Sequence, residues 1–320
     1  MKRNGKIVIL AVIMGILLPS LLLNLSGKLS WQPETEPPLS TESQSSESLT
    51  IPVLMGDTQV FMDLEAYLVG VVLAEMGGSF ETEALKAQAV AARTYTMRRV
   101  WKGVRHAPGG VCTDYNCCQA YISVEDYLQS RGNQQDVDKV TDAVLQTEGL
   151  VVTYRGKLAE TTYFSCSGGR TEDAAAVWGS DIPYLQAVDS PGEEGAAGYS
   201  KTVRLSLAAF ADALGRELTG TPAEWLGEVT YSQGGGVVNM VIDGKSYTGV
   251  QLRKLLKLNS TAFTMEVKGD EIHITTRGHG HRVGMSQYGA DAMAVTGSSY
   301  REILAHYYPG TAIDKLEAIR

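Results

Sequence analysis

An uncharged apolar run near the N-terminus constrains this chain more than any other feature. Lys2, Arg3 and Lys6 precede IVILAVIMGILLPSLLLNL, residues 7–25, in which no side chain is charged. A helix of that length matches a hydrocarbon core of ~30 Å. Basic residues before it predict that the N-terminus stays in the cytoplasm and the rest is exported. We therefore expect residues 1–25 to form a short cytoplasmic end and a single-pass membrane anchor.

A cleaved signal peptide is the alternative explanation of this run. However, the run is long for the apolar part of a signal peptide, and LLLNLSGKLSWQ contains no small-x-small cleavage site. Both features favour an uncleaved anchor.

The segment after the run cannot supply a hydrophobic core. Residues 26–50 read SGKLSWQPETEPPLSTESQSSESLT and are rich in Ser, Glu, Pro and Thr. Such a composition is typical of a disordered tether, because it offers too little apolar surface to offset the entropy lost on folding. We expect folded structure to begin near Ile51, outside the cytoplasmic membrane.

The folded part predicts an α+β fold class with antiparallel strands. Asp63 is a candidate N-cap for a helix through DLEAYLVGVVLAEM, which Gly77 and Gly78 would end. A second helix is expected from about Glu81 to Val100. Its small side chains would let another helix approach closely; they are Ala84, Ala87, Ala89, Ala91 and Ala92.

Further elements follow in the same mixed pattern. A helix is expected over residues 137–147, before strands at GLVVTYRG and LAETTYFSCSGG. Residues 201–275 resemble a smaller α+β unit, with helical LSLAAFADALGREL and GVQLRKLLKL, and strand-like GGVVNMVIDGKSYTG and FTMEVKGDEIHITT. We expect this unit to be inserted into a catalytic domain made of residues 51–200 and 276–320, giving two lobes that flank a substrate cleft.

The charge balance narrows the classes of partner. A net charge of −8 argues against nucleic-acid binding, which depends on neutralising phosphates with Lys and Arg. No Gly-rich phosphate loop follows an obvious strand, so we expect no nucleotide and no other organic cofactor.

A single carboxylate interrupts the apolar sequence YLVGVVLAEMGG at residues 67–78. Burial raises the pKa of a carboxyl group because it disfavours the charged form, and a glutamate can thus become a general acid near neutral pH. Glu75 is therefore a candidate catalytic residue. The alternative is a glutamate at a helix end that reaches water or pairs with Arg93 or Lys86.

Three of the four cysteines lie close together in HAPGGVCTDYNCC. His106, Cys112, Cys117 and Cys118 offer the four nitrogen and sulfur ligands of a structural zinc site. Disulfides are the alternative, since an exported protein permits them, but the adjacent Cys117 and Cys118 could bridge one another only with strain. We predict a zinc ion that is structural rather than catalytic, because protein side chains fill all four positions.

Two loops carry further candidates. In TTRGHGHRVGMSQYGADAM, His279 and His281 alternate with glycines, which indicates a backbone lying close to a ligand or to another segment. A packing corner, with histidines bound to backbone carbonyls, is the alternative.

In FSCSGGRTEDAAAVWG, hydroxyl groups and amides gather before a helix. A substrate-binding turn is favoured there, because the G-x-S-x-G elbow is absent and Cys166 would need a paired histidine to act as a nucleophile.

Six segments, taken in order, resemble the stage II sporulation protein D family of endospore-forming bacteria. The similarity covers residues 51–320 and the N-terminal anchor. The segments are LAEM at 73–76, EALKAQAVAARTY at 83–95, CTDYNCCQAY at 112–121, SGGRTEDAAAVWG at 167–179, GHGHRVGMSQYGA at 278–290 and YREILAHYYPGT at 300–311.

This resemblance implies a lytic transglycosylase that cuts peptidoglycan while the forespore is engulfed, in the space between the mother-cell and forespore membranes. It places the catalytic acid at Glu75 and zinc in the loop from His106 to Cys118, where Cys117 stands at a position that can be histidine in relatives. It also implies two partners, the amidase stage II sporulation protein P, which strips stem peptides from the glycan, and stage II sporulation protein M.

The resemblance assigns Glu75 both proton transfers, whereas ordinary glycosidases use two carboxylates. Residues expected to contact the glycan are Lys86, Arg93, Tyr163, Ser165, Ser167, His279, His281 and Gln287. For Lys86 and Arg93 the alternative is a plain salt bridge.

Two other functions stay open, namely a non-catalytic peptidoglycan-binding scaffold and a zinc amidase, although a closed four-ligand site argues against the amidase.

Overall fold

The computed structural model describes residues 49–319 apart from 104, 105, 107–109 and 131. The anchor expected at residues 7–25 lies outside these ranges, as does nearly all of the expected tether. Within them, no helix has both the length and the apolar character needed to cross a membrane.

Nine α-helices lie in the described ranges, and we number them in chain order. They are α1 Leu64–Glu75, α2 Thr82–Lys102, α3 Val124–Ser130, α4 Gln134–Leu145, α5 Ala174–Trp178, α6 Leu207–Leu214, α7 Gly249–Leu255, α8 Gln287–Val295 and α9 Tyr300–Tyr307.

Fourteen strands of the described chain form five small sheets, so the α+β fold class is confirmed. Pairing is antiparallel except between β1 and β3 and between β6 and β13. The strands are β1 Thr50–Met55, β2 Thr58–Asp63, β3 Val111–Cys112, β4 Leu150–Tyr154, β5 Lys157–Leu158, β6 Tyr163–Phe164, β7 Ser200–Ser206, β8 Leu226–Tyr231, β9 Val237–Ile242, β10 Lys245–Thr248, β11 Phe263–Lys268, β12 Glu271–Arg277, β13 Met285–Ser286 and β14 Ala312–Lys315.

Helix α1 begins where the sequence predicts. The Asp63 carboxylate accepts a hydrogen bond from the Ala66 N–H at 2.8 Å, which satisfies one of the free donors at the helix start. Gly70 permits a close approach on this helix, because a Cβ there would lie 2.4 Å from the Tyr121 ring. The Ile122 N–H donates to the Gly70 carbonyl at 3.2 Å, so the segment after Cys118 lies directly on α1.

Helix α2 is the centre of the larger hydrophobic core. Its five alanines of the predicted small-residue face are fully buried. They allow α2 to pack against α1, α4, α8 and α9 and against strand β4. The predicted close approach of other helices is therefore confirmed.

The observed helix boundaries differ from the predicted ones where an N-cap residue or a neighbouring strand determines the end of the helix. Helix α4 begins at Gln134, three residues before the predicted start, because the Asn133 side chain caps it through the Asp136 N–H. Helix α6 is shorter than the predicted stretch, since β7 takes the residues up to Ser206 and Gly215 ends the helix with φ of 67°. Helix α3 and strand β7 were not predicted.

A second hydrophobic cluster is built entirely from residues between 205 and 274. Phe210, Leu252, Ile272 and Ile274 are among its buried members. Strands β7 to β12 and helices α6 and α7 supply these side chains. The domain boundaries expected at residues 201 and 275 stay a prediction.

Candidate active site

Glu75 is the last residue of α1, and its side chain lies between two hydrogen-bond donors. The Ala120 N–H donates to Oε1 at 2.9 Å, and the Gln287 side-chain amide donates to Oε2 at 3.1 Å. Burial raises the pKa of the Glu75 carboxyl above its usual range, although the two donors favour the charged form and partly oppose this shift. The group is therefore held toward its protonated state, with partners ready for the carboxylate.

Gln119 fixes the peptide unit that reaches Glu75. This side chain is buried, and its amide donates to the Thr96 hydroxyl at 2.9 Å and to the Tyr67 hydroxyl at 3.2 Å. Its carbonyl accepts from the Tyr163 hydroxyl at 2.7 Å. Since Ala120 comes next in the chain, this network sets the direction of the N–H that contacts Glu75. Sequence reasoning missed both residues, although they directly follow the last proposed metal ligand.

The Gly/His-rich loop packs against another segment of the chain, one of the two predicted alternatives. Strand β13 pairs in parallel with β6, and the Tyr288 N–H donates to the Ser165 carbonyl at 3.1 Å. Gly284 has φ of 85°, and a Cβ there would lie 2.1 Å from the Thr162 carbonyl oxygen. This close pairing carries Gln287, the first residue of α8, to Glu75.

Two cavities meet at Glu75. The smaller, of about 310 Å³, is lined by Phe80, Tyr127, Asp136 and Tyr288 among others. The larger, of about 790 Å³, we call the groove; its lining includes Tyr95, Arg99, Glu160, Tyr163, Trp178, Arg253, His279 and His281. Glu75 and Ser165 line both, so Glu75 borders open space on two sides.

The two histidines of the groove are held neutral. Burial, together with the charge of Arg253, lowers the pKa of His281 to about 4 and that of His279 below its usual value. The Val283 N–H donates to His281 Nδ1 at 3.1 Å, which fixes the proton on the other ring nitrogen. Neither imidazole therefore carries a positive charge into the groove at neutral pH.

Arg93 and Lys86 lie away from both cavities and form salt bridges, the alternative role predicted for them. Arg93 is fully buried and pairs with Glu65 through Nε at 2.8 Å and Nη2 at 2.5 Å. Lys86 pairs with Glu83 at 2.7 Å. The expected glycan contact of Arg93 is wrong because none of its surface is accessible. Neither residue pairs with Glu75.

Substitution of these two basic residues should separate a pair whose cation is fully buried from a pair that is partly exposed. Arg93→Met leaves the Glu65 carboxylate without its buried partner and should lower the free energy of unfolding by about 3–5 kcal/mol. The matched change Lys86→Met should cost less than about 1 kcal/mol, because water replaces the partner of Glu83. Denaturant unfolding of both variants measures the difference. Equal costs would contradict the assignment of Arg93 to a buried ion pair.

Ser167 and Cys166 belong to a buried polar cluster around Glu193. The Glu193 carboxylate accepts from the Ser167 hydroxyl at 2.7 Å and from the N–H groups of Ser167 and Gly168 at 2.9 Å. The Cys166 thiol is buried beside the same carboxylate at 3.4 Å, and these surroundings raise its pKa to about 12. The expected glycan contact of Ser167 is therefore wrong, and Cys166 is not activated as a nucleophile.

The proposed metal ligands come together as the spacing predicts. The ligand atoms of His106, Cys112, Cys117 and Cys118 all lie within 4.8 Å of one another. His106 Nε2 is 3.6 Å from the Cys117 sulfur and 3.5 Å from the Cys118 sulfur. A tetrahedral zinc ion with ordinary bond lengths places a nitrogen and a sulfur ligand ~3.5 Å apart. The donor set and its spacing therefore fit zinc.

A tight turn explains how adjacent cysteines can both take part. The Asp114 carbonyl accepts from the Cys117 N–H at 3.0 Å and from the Cys118 N–H at 2.8 Å. This turn brings both sulfurs toward His106, while β3 places Cys112. All four cysteines of the chain are free thiols, so the alternative prediction of disulfides does not describe this structure.

Comparisons with known proteins find a family model and two relatives that carry the stage II sporulation protein name. A family model described as "Stage II sporulation protein" matches residues 58–154. Stage II sporulation protein D of Bacillus subtilis (strain 168) is 40% identical over 284 residues, which are 87% of this chain and 82% of that protein. The protein of the same name from Bacillus amyloliquefaciens is 40% identical over 80% of this chain and 75% of its own length. The "Amidase enhancer" of B. subtilis is 29% identical over 77% of this chain but only 40% of its own length.

Proposed function

The chain belongs to the stage II sporulation protein D family, and from this membership we propose that it is a peptidoglycan lytic transglycosylase. It would cleave the glycan backbone between N-acetylmuramic acid and N-acetylglucosamine during forespore engulfment. The observation that carries the proposal is Glu75, a carboxyl group with a raised pKa at the meeting point of two cavities. Glu160, which also lines the groove, is bound to Arg98 at 2.7 Å and Arg99 at 2.6 Å.

The first step is protonation of the bridging oxygen. Glu75 begins protonated and donates its proton as the glycosidic bond breaks, so that positive character develops at the anomeric carbon of muramic acid. The carboxylate that forms accepts from the Ala120 N–H and the Gln287 amide. These hydrogen bonds strengthen as charge develops on the carboxylate, which lowers the barrier more than it stabilises the bound substrate.

The second step returns the proton. The 6-hydroxyl of the same muramic acid attacks the anomeric carbon, and the Glu75 carboxylate removes its proton. The products are a 1,6-anhydro sugar and a glycan with a free 4-hydroxyl, and Glu75 is again protonated. Because the nucleophile is part of the substrate, much of the entropy of bringing the reactants together is already lost. A single carboxyl group is sufficient for both steps.

Zinc has a structural part in this proposal. His106, Cys112, Cys117 and Cys118 would hold the ion, and its chemistry there is to cross-link the loop. Gln119 and Ala120 follow the last ligand directly, so a fixed loop would place the Ala120 N–H and the Gln119 side chain at the acid. No proton transfer passes through the metal.

The proposed function includes a location at the membrane and two protein partners. An anchor at residues 7–25 would hold the enzyme on the membrane with its catalytic domain outside the cytoplasm. Stage II sporulation protein P would remove stem peptides first, and stage II sporulation protein M would hold the assembly in place. The name of one relative, an amidase enhancer, supports a functional link to an amidase.

Mass spectrometry of the products tests the reaction. The fragment from Ile51 onward is incubated with purified glycan strands stripped of peptides, and we expect 1,6-anhydro ends. Reducing ends would instead mean hydrolysis, and would direct attention to Asp136, which lines the smaller cavity together with Glu75. Binding without any product, by a folded and zinc-loaded fragment, would favour the scaffold function. Release of peptides from intact peptidoglycan would favour the amidase.

The raised pKa of Glu75 predicts how cleavage depends on pH. Activity should fall as pH rises through this pKa, because the reaction starts from the protonated form. Gln287→Leu removes a donor that favours the carboxylate, so the pKa rises further and the alkaline limit of activity moves to higher pH. The turnover rate should also fall. Rates measured against pH check both effects, with the exposed Gln135→Leu as control; an alkaline limit that stays in place or moves to lower pH would contradict this role of Gln287.

A further inference from the structure

An arginine from the second hydrophobic cluster reaches the groove. Arg253 lies on α7, whose Leu252 is fully buried in that cluster. The Arg253 side chain is half-buried and lines the groove together with Trp178, His279 and His281. Its charge helps to lower the pKa of both histidines, which line the same cavity.

Arg253 has no partner in the part of the chain that the structure describes, where no hydrogen bond or ion pair involves its guanidinium. Burial lowers its pKa, and no carboxylate offsets this effect. Arg99, the other arginine of the groove, is bound to Glu160 at 2.6 Å. Partly burying an unpaired cation is costly, so an anion arriving from solution would relieve a cost that the folded protein already carries.

The charges along the groove sum to a local positive excess. Glu160 supplies one negative charge against the two positive charges of Arg98 and Arg99, both of which it binds, and Glu75 is held toward its neutral form. The lowered pKa values keep both histidines uncharged. Arg253 adds a further positive charge and, unlike Arg98 and Arg99, has no carboxylate partner among the described side chains, in a chain whose net charge is −8. A negatively charged substrate group is the chemistry that this position recognises.

We propose that Arg253 binds the lactyl carboxylate of N-acetylmuramic acid and so selects glycan from which stem peptides have been removed. The proposal rests on the proposed function and deepens it. The lactyl group ends in a free carboxylate only after the amide bond to the peptide has been cut; before that, the same position is a neutral amide. A guanidinium matches a carboxylate with two parallel hydrogen bonds.

The lactyl group fits better than the carboxylates of a stem peptide. It is joined to the sugar ring through an ether, so a ring held in the groove carries its carboxylate at a nearly fixed place. A peptide carboxylate lies at the end of a rotatable chain, and ordering that chain would oppose binding. Arg253 would thus distinguish a processed strand from an unprocessed one.

Binding measurements in the inactive Glu75→Gln background test the proposal without turnover. Calorimetry compares three soluble glycan oligomers. The first has free lactyl carboxylates, the second has them capped as methylamides, and the third has each joined to a single alanine that moves the carboxylate outward. We expect the first to bind about tenfold more tightly than the other two, as one charge-assisted contact predicts. Further replacement of Arg253 with Gln should abolish this preference, and replacement with Lys should retain part of it.

The neighbouring Lys254 provides the matched control, because it is exposed on the same helix and does not line the groove. Lys254→Gln should keep the tenfold preference. Equal binding of the first two oligomers by the Glu75→Gln protein would overturn the role of Arg253 while leaving glycan binding intact. Preference for the alanine oligomer that depends on Arg253 would also overturn it, in favour of peptide recognition. Failure to bind any oligomer would instead overturn the proposed function itself.

Discussion

Replacing Glu75 with glutamine should reduce glycan cleavage by about 10³-fold or more, since the proposed reaction assigns both proton transfers to this one side chain. Glutamine has nearly the same shape and can still accept from the Ala120 N–H, but it has no acidic proton to give. The measurement is the rate at which 1,6-anhydro ends appear on peptide-free glycan. Glu125→Gln, an exposed change on α3, should leave that rate unchanged.

The same substitution should not destabilise the protein at neutral pH. The folded state raises the pKa of Glu75, so it binds the proton more tightly than the unfolded chain does. Stability of the normal protein therefore falls as pH rises from the unfolded value, about 4.3, through the raised one. Glutamine does not ionise, so the Tm of Glu75→Gln should equal or exceed that of the normal protein at pH 7, with the gap closing near pH 4. Near-normal cleavage by the folded variant would refute the assignment of the acid.

Loss of the metal should have the largest effect on stability. Binding of structural zinc contributes free energy on the order of 10 kcal/mol to the folding of the segment that holds it. Chelation, or Cys112→Ser or Cys118→Ser, should lower the Tm by about 10 °C or more, given ~2–4 °C per kcal/mol for a domain of this size. Zinc content should fall from one ion per chain to none.

Cys166→Ser controls for the general loss of a thiol. This cysteine is buried outside the cluster of ligands, so the variant should retain its zinc whatever its Tm. Purified normal protein without zinc, and with a Tm indifferent to chelator, would show that the four side chains form an ordinary hydrogen-bonded turn.

Elements with local causes could be predicted from the sequence. Helix α1 followed from a capping aspartate and an apolar run that ends at glycines, and α2 from its alanine face. Strand β6 lies within the strand predicted at LAETTYFSCSGG, but its two-residue length and its partner β13 could not be predicted, because the two strands are defined by their pairing with each other. Their paired residues, such as Tyr163 and Met285, are far apart in the sequence, and nothing in either segment alone specifies the pairing.

Residues of the candidate site could also be predicted only where the signal is local in the sequence. Glu75 was conspicuous because a carboxyl group is costly in an apolar run, and the metal cluster because its donors are close in sequence. The Ala120 N–H was missed because a sequence letter identifies a side chain and does not show where the backbone amide of that residue points. Arg93 was misassigned because its true partner, Glu65, lies on another helix. It shares one face of α2 with Lys86, seven residues earlier, and that face is turned away from both cavities.

The hydrogen bond between Glu75 and Gln287 joins residues 212 positions apart, so the candidate site is completed late in synthesis. A ribosome adding ~5–20 residues per second makes Gln287 about 10 to 40 s after Glu75. During that interval the nascent chain holds the acid without the amide that supports its carboxylate, and without the strand pairing that closes the site. A chain that ends before Gln287 therefore lacks one of the two donors to the Glu75 carboxylate, so the candidate site is complete only when the last tenth of the polypeptide is made.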